Sequence, residues 1–311
     1  MKEFLIDKNE ENKRLDKFLK TVLPKANDSF IYKMLRKKNI KLNDKKAEGN
    51  EKLLIGDVVK IYFSDETFSM FASDTVEKVN EYEKAYKTLR NINVVYEDND
   101  LLIVNKPINV LSQKAKDDDI SVNEWLIGYL ISNKCITIEG LNTYHPSILN
   151  RLDKNTTGLL IGAKTYKASR VVSTLIKEKK IRKFYKTTVK GVLKEDKLLE
   201  GYLSKDSKTN KVKIYSKEPK GMDCSYIKTK VTPLHVLEDK TICEVELFTG
   251  KTHQIRAHLA SIGHPILGDP KYGDQAFNKK YNKYTQDLTA YRLEFPDECE
   301  IESLRKLVVK L

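Results

Sequence analysis

Three short stretches of this 311-residue chain hold the residue types a catalytic site uses. The first runs Asn150-Arg151-Leu152-Asp153-Lys154-Asn155-Thr156-Thr157-Gly158 into the apolar run 159–162. A carboxylate set among an arginine, a lysine and a glycine-closed turn can be held ionised and aimed by backbone donors. Taken alone, Asp153 also fits an ordinary side-chain-to-backbone turn before a strand. The second stretch, Lys183-Phe184-Tyr185-Lys186, opens a strand, where a tyrosine is more often packing than chemistry. The third is Gly250-Lys251-Thr252-His253-Gln254-Ile255-Arg256-Ala257-His258-Leu259, continued by Gly263-His264-Pro265-Ile266-Leu267-Gly268-Asp269-Pro270-Lys271-Tyr272-Gly273. As a helix over 252–262, it puts His253, Arg256 and Ala260 on one face and Ile255, Leu259 and Ile262 on another. Arg256 then points away from the apolar stripe.

The elements that must position these groups are legible in the periodicity. Residues 13–63 read as a small α/β module. Leu15, Phe18, Leu19 and Val22 mark a helix that Pro24 ends, and Asn27, Asp28 and Ser29 offer caps for a second helix with Ile31, Met34 and Leu35 inward. Strand-like runs follow at 40–42 and 58–63. Residues 64–91 are polar and read as a linker, partly helical around 76–89. Residues 92–311 read as one catalytic domain of mixed α+β class. It opens with a hairpin, 94–96 and 101–104, and continues with a helix capped by Ser121-Val122-Asn123-Glu124. A helix through Ala168, Val171, Val172, Leu175 and Ile176 comes next, then strands at 184–193 and 242–248.

Composition narrows the partners. Lys+Arg number 57 against 44 Asp+Glu, a formal net charge of +13, which points to a polyanion. The excess is uneven: the first 63 residues carry 16 basic and 10 acidic side chains, the next 28 carry 4 and 6, and the remaining 220 carry 37 and 28. Only 9 of the 57 are arginine, so an arginine inside a motif stands out for its planar fork. Cys135, Cys224, Cys243 and Cys299 form no C-x-x-C pair, and His253 and His258 miss the i, i+4 spacing of helical ligands, so no structural metal is expected. No apolar run reaches membrane length, and the start lacks a signal-peptide core, so a cytoplasmic address is expected.

Jointly the motifs carry a resemblance. RLD-x-x-T-[ST]-G at 151–158, K-x-Y at 183–185, the long run at 250–273 and the hairpin VYEDNDLLIVNKP at 95–107 resemble the RluA/RluC/RluD-like family of RNA pseudouridine synthases. Residues 13–63 resemble the S4 RNA-binding domain often fused in front, most like the RluC type. The resemblance implies a pseudouridine synthase fold with a mixed, mainly antiparallel central sheet flanked by helices. The implied reaction is uridine to pseudouridine in RNA, most like the large-subunit ribosomal enzyme, with no cofactor or metal and a monomer by default. It implies Asp153 as the essential aspartate, acting as nucleophile at C1′ or base at C2′, with Tyr185 as the active-site tyrosine and Arg256 as the arginine paired to Asp153. Asn150 stands where this branch usually has histidine; with Arg151 it is expected to touch RNA, as are Arg14, Lys33, Arg36, Lys37 and Lys41 of the small module.

Two other classes compete. A non-catalytic RNA-binding assembly factor would share the charge and the small module but has no need for Asp153, Tyr185 and Arg256 together. A glycoside hydrolase also breaks a C1′ bond but usually works with a paired acid at defined separation, and none accompanies Asp153 in the three motifs.

Overall fold

The computed structural model describes residues 1–72, 75–206 and 211–311, with only the backbone at 75–77. In the amino-terminal module, β1 (Lys2–Leu5), β2 (Ile40–Leu42), β3 (Lys45–Lys46) and β4 (Val58–Ile61) form an antiparallel sheet in the order β1-β4-β2-β3. Helices α1 (Leu15–Val22) and α2 (Asp28–Arg36) share a core with this sheet. Leu15, Phe18 and Leu19 are completely buried, each worth about 1.5–3 kcal/mol of burial. Asn27 caps α2, its side-chain oxygen accepting from the Phe30 N–H at 2.8 Å.

The module is larger at both ends than 13–63. Strand β1 pairs with β4 and Ile6 is fully buried, while α3 (Asp65–Phe71), inside the expected linker, sets Phe68 against Phe4 and Phe71 against Phe30. A four-residue strand with two charges is too short for its alternation to show, and two aromatics in a polar stretch do not make a period. Residues 73 and 74 of that linker lie outside the described residues. Its second half, α4 (Thr75–Thr88), lies against α5 (Val122–Ser132) so closely that a Cβ at Gly128 would collide with the Tyr82 carbonyl.

The larger body is built on an eleven-stranded sheet. Its strands are β5 (Asn93–Glu97), β6 (Leu101–Lys106), β7 (Ser147–Ile148), β8 (Thr157–Ala163), β9 (Arg182–Lys190), β10 (Lys197–Asp206), β11 (Lys211–Tyr215), β12 (Ser225–Val236), β13 (Lys240–Leu247), β14 (Leu288–Glu294) and β15 (Val308–Lys310). The order is β11-β10-β12-β13-β9-β14-β8-β6-β5, with β7 on β8 and β15 on β14. All pairings are antiparallel except β8 with β14. This is the mixed, mainly antiparallel α+β architecture the sequence implies. Gly158, at φ +115°, admits the parallel contact, because a Cβ there would strike the Ala290 backbone.

Helices cover both faces. Leu102, Val104, Leu160, Tyr185, Val189 and Val245 share one apolar cluster with α5 and α7 (Gln254–Ser261). Leu101, Ile103, Leu159 and Ile161 pack on the other side with α6 (Tyr166–Lys177) and the carboxy-terminal segment. Strands β6 and β8 are therefore buried on both faces, which accounts for their unbroken apolar runs. The remaining helix, α8 (Gln275–Lys280), is capped by Asp274.

The two bodies meet at a polar seam. Lys13 Nζ donates to the Thr143 carbonyl at 3.0 Å and to Thr21 Oγ1 at 2.7 Å, while Thr143 Oγ1 donates to Glu10 at 2.7 Å. Lys13 and Glu10 are buried, and burial lowers the Lys13 pKa to about 8, with Glu10 opposing. Among the described residues, no apolar cluster contains side chains from both bodies.

Candidate active site

Asp153 lies in the loop between β7 and β8, and buried donors pin that loop from beneath. Ser112 Oγ donates to the Leu152 carbonyl at 2.9 Å and accepts from the Leu152 N–H at 3.0 Å. Lys106, completely buried at the end of β6, donates to the carbonyls of Pro107 and Val110 at 2.9 Å and of Lys154 at 3.0 Å. Burial lowers the Lys106 pKa to about 8, and the charge of Asp153 opposes the shift. The Thr156 N–H closes the turn on the Asp153 carbonyl at 3.0 Å. Asp153 is thus fixed through its backbone, and its side chain remains about 33% exposed.

The third motif supplies the cation. Helix α7 is seated on β12 by Gln254, whose Nε2 donates to the Lys228 carbonyl and Thr229 Oγ1, and by His258, whose Nδ1 lies 3.0 Å from Thr229 Oγ1. Burial lowers the His258 pKa to about 4, so the ring is neutral at physiological pH. Between these two anchors, on the other side of the helix, Arg256 points toward Asp153, its Nη1 at 3.3 Å from Asp153 Oδ2.

The bidentate partner of Arg256 is a different carboxylate. Nε and Nη2 donate to Asp269 Oδ2 and Oδ1, each at 2.7 Å, a fork-on-fork pair with no solvent on the acid. Asp269 Oδ1 also accepts from the backbone N–H groups of Lys271 and Tyr272. Burial opposes both charges, but each partner outweighs it: Arg256 and the backbone donors lower the Asp269 pKa, while Asp269 and then Asp153 raise that of Arg256. The Tyr272 ring lies 5.2 Å from the guanidinium carbon. His253 adopts a left-handed conformation (φ 55°), uncommon for a side chain with a Cβ, at the start of α7. Its Nε2 is 3.8 Å from Asp153 Oδ2 and its Nδ1 is 3.0 Å from the Tyr272 hydroxyl.

Tyr185 stands on β9 in the apolar cluster beneath α7. Burial raises its pKa, and the charge of Asp153 adds to the shift. Its hydroxyl makes no hydrogen bond among the described residues. The three sequence motifs therefore bring Asp153, Arg256 and Tyr185 to one place, with Asp269, Lys106, Ser112 and His253 in support. Asp269, His253 and Lys106 stand inside the motifs without a residue-type signal for these roles, and Ser112 lies outside all of them. Among the described residues, no cluster of histidine, cysteine or acidic side chains could hold a metal, and no helix is long and apolar enough to cross a membrane.

The expected RNA contacts divide. The Asn150 amide is occupied by β8, accepting from the Ile161 N–H at 2.8 Å and donating to the Leu159 carbonyl at 3.3 Å. Arg151 is exposed. In the small module Lys33 and Arg36 are exposed on α2 and Lys37 just past its end, and the Lys41 ammonium sits 5.1 Å from the Tyr62 ring centroid. Arg14 directs its fork at Asp16, with Nη2 at 2.8 Å and Nε at 3.2 Å.

Comparison with known proteins identifies the family. A family model described as RNA pseudouridylate synthase matches residues 100–261. A Mycoplasma capricolum protein named as an uncharacterised RNA pseudouridine synthase is 32% identical over 95% of this chain and 92% of its own length. The ribosomal large subunit pseudouridine synthase C of Vibrio parahaemolyticus is 29% identical over 93% of this chain and 84% of its own. In structure, human RNA pseudouridylate synthase domain containing 4 matches with a TM-score of 0.56 at 19% identity, covering 75% of this chain and 92% of that one. With a family match spanning more than half its length and a relative similar almost end to end, this chain belongs to the RNA pseudouridylate synthases.

Proposed function

We propose that this enzyme isomerises uridines of large-subunit ribosomal RNA, with Asp153 as catalytic carboxylate, Arg256 and Tyr185 beside it, and the amino-terminal module as an S4-like holder of RNA. It would do so in the cytoplasm and as a monomer. The observation that carries the catalytic assignment is the Asp153 carboxylate itself, partly open to solvent and 3.3 Å from an arginine already immobilised by a second, buried acid.

The reaction breaks the C1′–N1 bond, turns the uracil while it stays bound, and joins C5 to C1′. The C5 proton leaves and N1 gains one, so the atoms balance without a cofactor. Asp153 either attacks C1′ or takes the C2′ proton, and both require a free carboxylate oxygen. Oδ2 faces Arg256 and His253, whereas Oδ1 accepts no hydrogen bond among the described residues. Because Asp269 already takes the guanidinium fork, Arg256 offers Asp153 a single donor, enough to aim the carboxylate without covering it. Tyr185 offers a flat ring to the uracil and a hydroxyl near C5. The target base must leave its stack to arrive here, at a cost of a few kcal/mol.

Asp153→Asn is expected to keep RNA affinity and stop isomerisation, read as tritium release from RNA labelled at C5 of uridine. Undiminished release would overturn the catalytic assignment. Mapping pseudouridines in ribosomal and transfer RNA from cells lacking the protein tests the target separately; a loss confined to transfer RNA would reject the ribosomal part alone.

A further inference from the structure

A second concave surface lies where β5, the terminal strand of the catalytic sheet, meets α4 and α5. It encloses about 410 Å³ and is lined by Tyr86, Trp125 and Tyr129 with Lys87, Arg90 and Val94. Trp125 and Tyr129 stack at 5.2 Å between centroids and 22° between planes; the Tyr86 ring stands 6.0 Å from Trp125 and 6.1 Å, edge-on, from Tyr129. Trp125 is buried and forms the floor, while the two tyrosines are half-buried and form the walls.

The charges around this groove suit a phosphate. Arg90 is exposed, its Nε donates to the Lys87 carbonyl at 3.1 Å, and its two terminal nitrogens have no partner among the described residues. Lys87 is held only by an exposed i, i+4 pair with Glu83, an interaction weak enough to yield to a better anion. Glu97, which accepts from the Tyr129 hydroxyl, pairs with Lys164 at 2.8 Å, so its charge is offset. An arginine here, in a chain with 9 arginines and 48 lysines, supplies a planar donor set and a surface on which a base can stack. Lys87 and Arg90 also suit the carboxy-terminal end of α4, where cations favour the helix dipole, and the terminal guanidinium nitrogens are left to meet an anion at the mouth. Helix α5 shares its apolar cluster with Tyr185 and α7, so groove and candidate active site belong to the same face of the sheet.

We propose that this groove is a stacking site for one unpaired nucleotide of the RNA substrate, separate from the flipped uridine. Its base lies against Tyr86 and Tyr129, and its phosphate meets Arg90 and Lys87. The proposal rests on the RNA-modifying activity but not on the role of Asp153.

Trp125 is the only tryptophan in the chain, so its emission reports on this groove alone. The full-length protein is titrated with a six-adenosine single-stranded RNA, which contains no uridine to isomerise. A saturable quench is expected, weakened about ten-fold by Arg90→Glu and by Tyr86→Leu, and retained in Asp153→Asn. With substrate RNA, Arg90→Glu should raise KM several-fold at unchanged kcat. Absence of a quench, or one that Arg90→Glu leaves as strong as before, overturns the proposal. So does a fall in kcat at constant KM, which would assign Arg90 to the architecture of the domain. Failure of the quench with loss of turnover only in Asp153→Asn would reject the groove while leaving the catalytic assignment intact.

Discussion

Replacing Asp269 by asparagine preserves shape and removes the charge that seats Arg256. In the native pair both guanidinium donors reach carboxylate oxygens at 2.7 Å, and the acid is fully out of water. Asparagine keeps one acceptor and turns an NH₂ toward an N–H of the guanidinium, leaving a buried cation short of its counter-charge. Removing one partner of a buried pair costs about 3–5 kcal/mol. The nearest remaining anion is Asp153, 3.3 Å from the same guanidinium. Arg256 should therefore shift toward Asp153 and cover the carboxylate that the chemistry needs. A displacement of about 1 Å at a reacting group can lower turnover about 100-fold. The assay is urea unfolding together with tritium release under saturating RNA: stability should drop by about 3–5 kcal/mol and kcat by about 100-fold, with KM little changed. Adding Arg256→Met to Asp269→Asn removes the orphaned charge and leaves the asparagine oxygen to the Lys271 and Tyr272 N–H groups. That double variant should regain most of the lost stability and none of the activity. If Asp269→Asn alone retains both stability and turnover, Asp269 is not what positions Arg256.

Two further outcomes follow from buried basic side chains. His258, with its pKa lowered to about 4 by burial, remains neutral in the folded protein between pH 4 and 6.5, whereas the unfolded chain takes up a proton there. Stability should therefore fall as pH drops from 6.5, the loss being complete near pH 4, and His258→Asn should flatten that limb of a urea-midpoint profile. Lys106→Met strips the donor from three carbonyls, two beside β6 and one next to Asp153. It should cost about 3 kcal/mol in stability and lower kcat more than it raises KM, because the Asp153 loop loses its anchor; a variant that melts normally and turns over normally would contradict that role.

What the sequence made legible was whatever local spacing controls. The helices α1, α2, α5 and α6 announce themselves by caps and apolar stripes, and the three motifs are dense enough to place Asp153, Tyr185 and Arg256. What escaped depends on distant parts of the chain meeting. Strands β10 and β12 do not stand out in the sequence because several of their buried positions are Gly201, Ser204 and Thr229, leaving only Leu203, Ile227 and Val231 to mark an apolar period. The choice of Arg256 between two acids is set by the fold-back of residues 263–273. There Gly273 is required because a Cβ would collide with the Asp269 carbonyl, and no residue-type pattern discloses which acid takes the fork. Asn150 follows the same logic. Strand β7 ends at Ile148, and the asparagine amide continues the ladder along β8, a use visible only once β8 is alongside.

The seam of Glu10, Lys13 and Thr143 bears on how such an enzyme searches. Hydrogen bonds rather than a shared apolar cluster join the two bodies there, and water can satisfy such groups as well as they satisfy each other. If the amino-terminal module holds RNA as proposed, a hydrogen-bonded joint would leave its grip and the larger body free to adjust to one another.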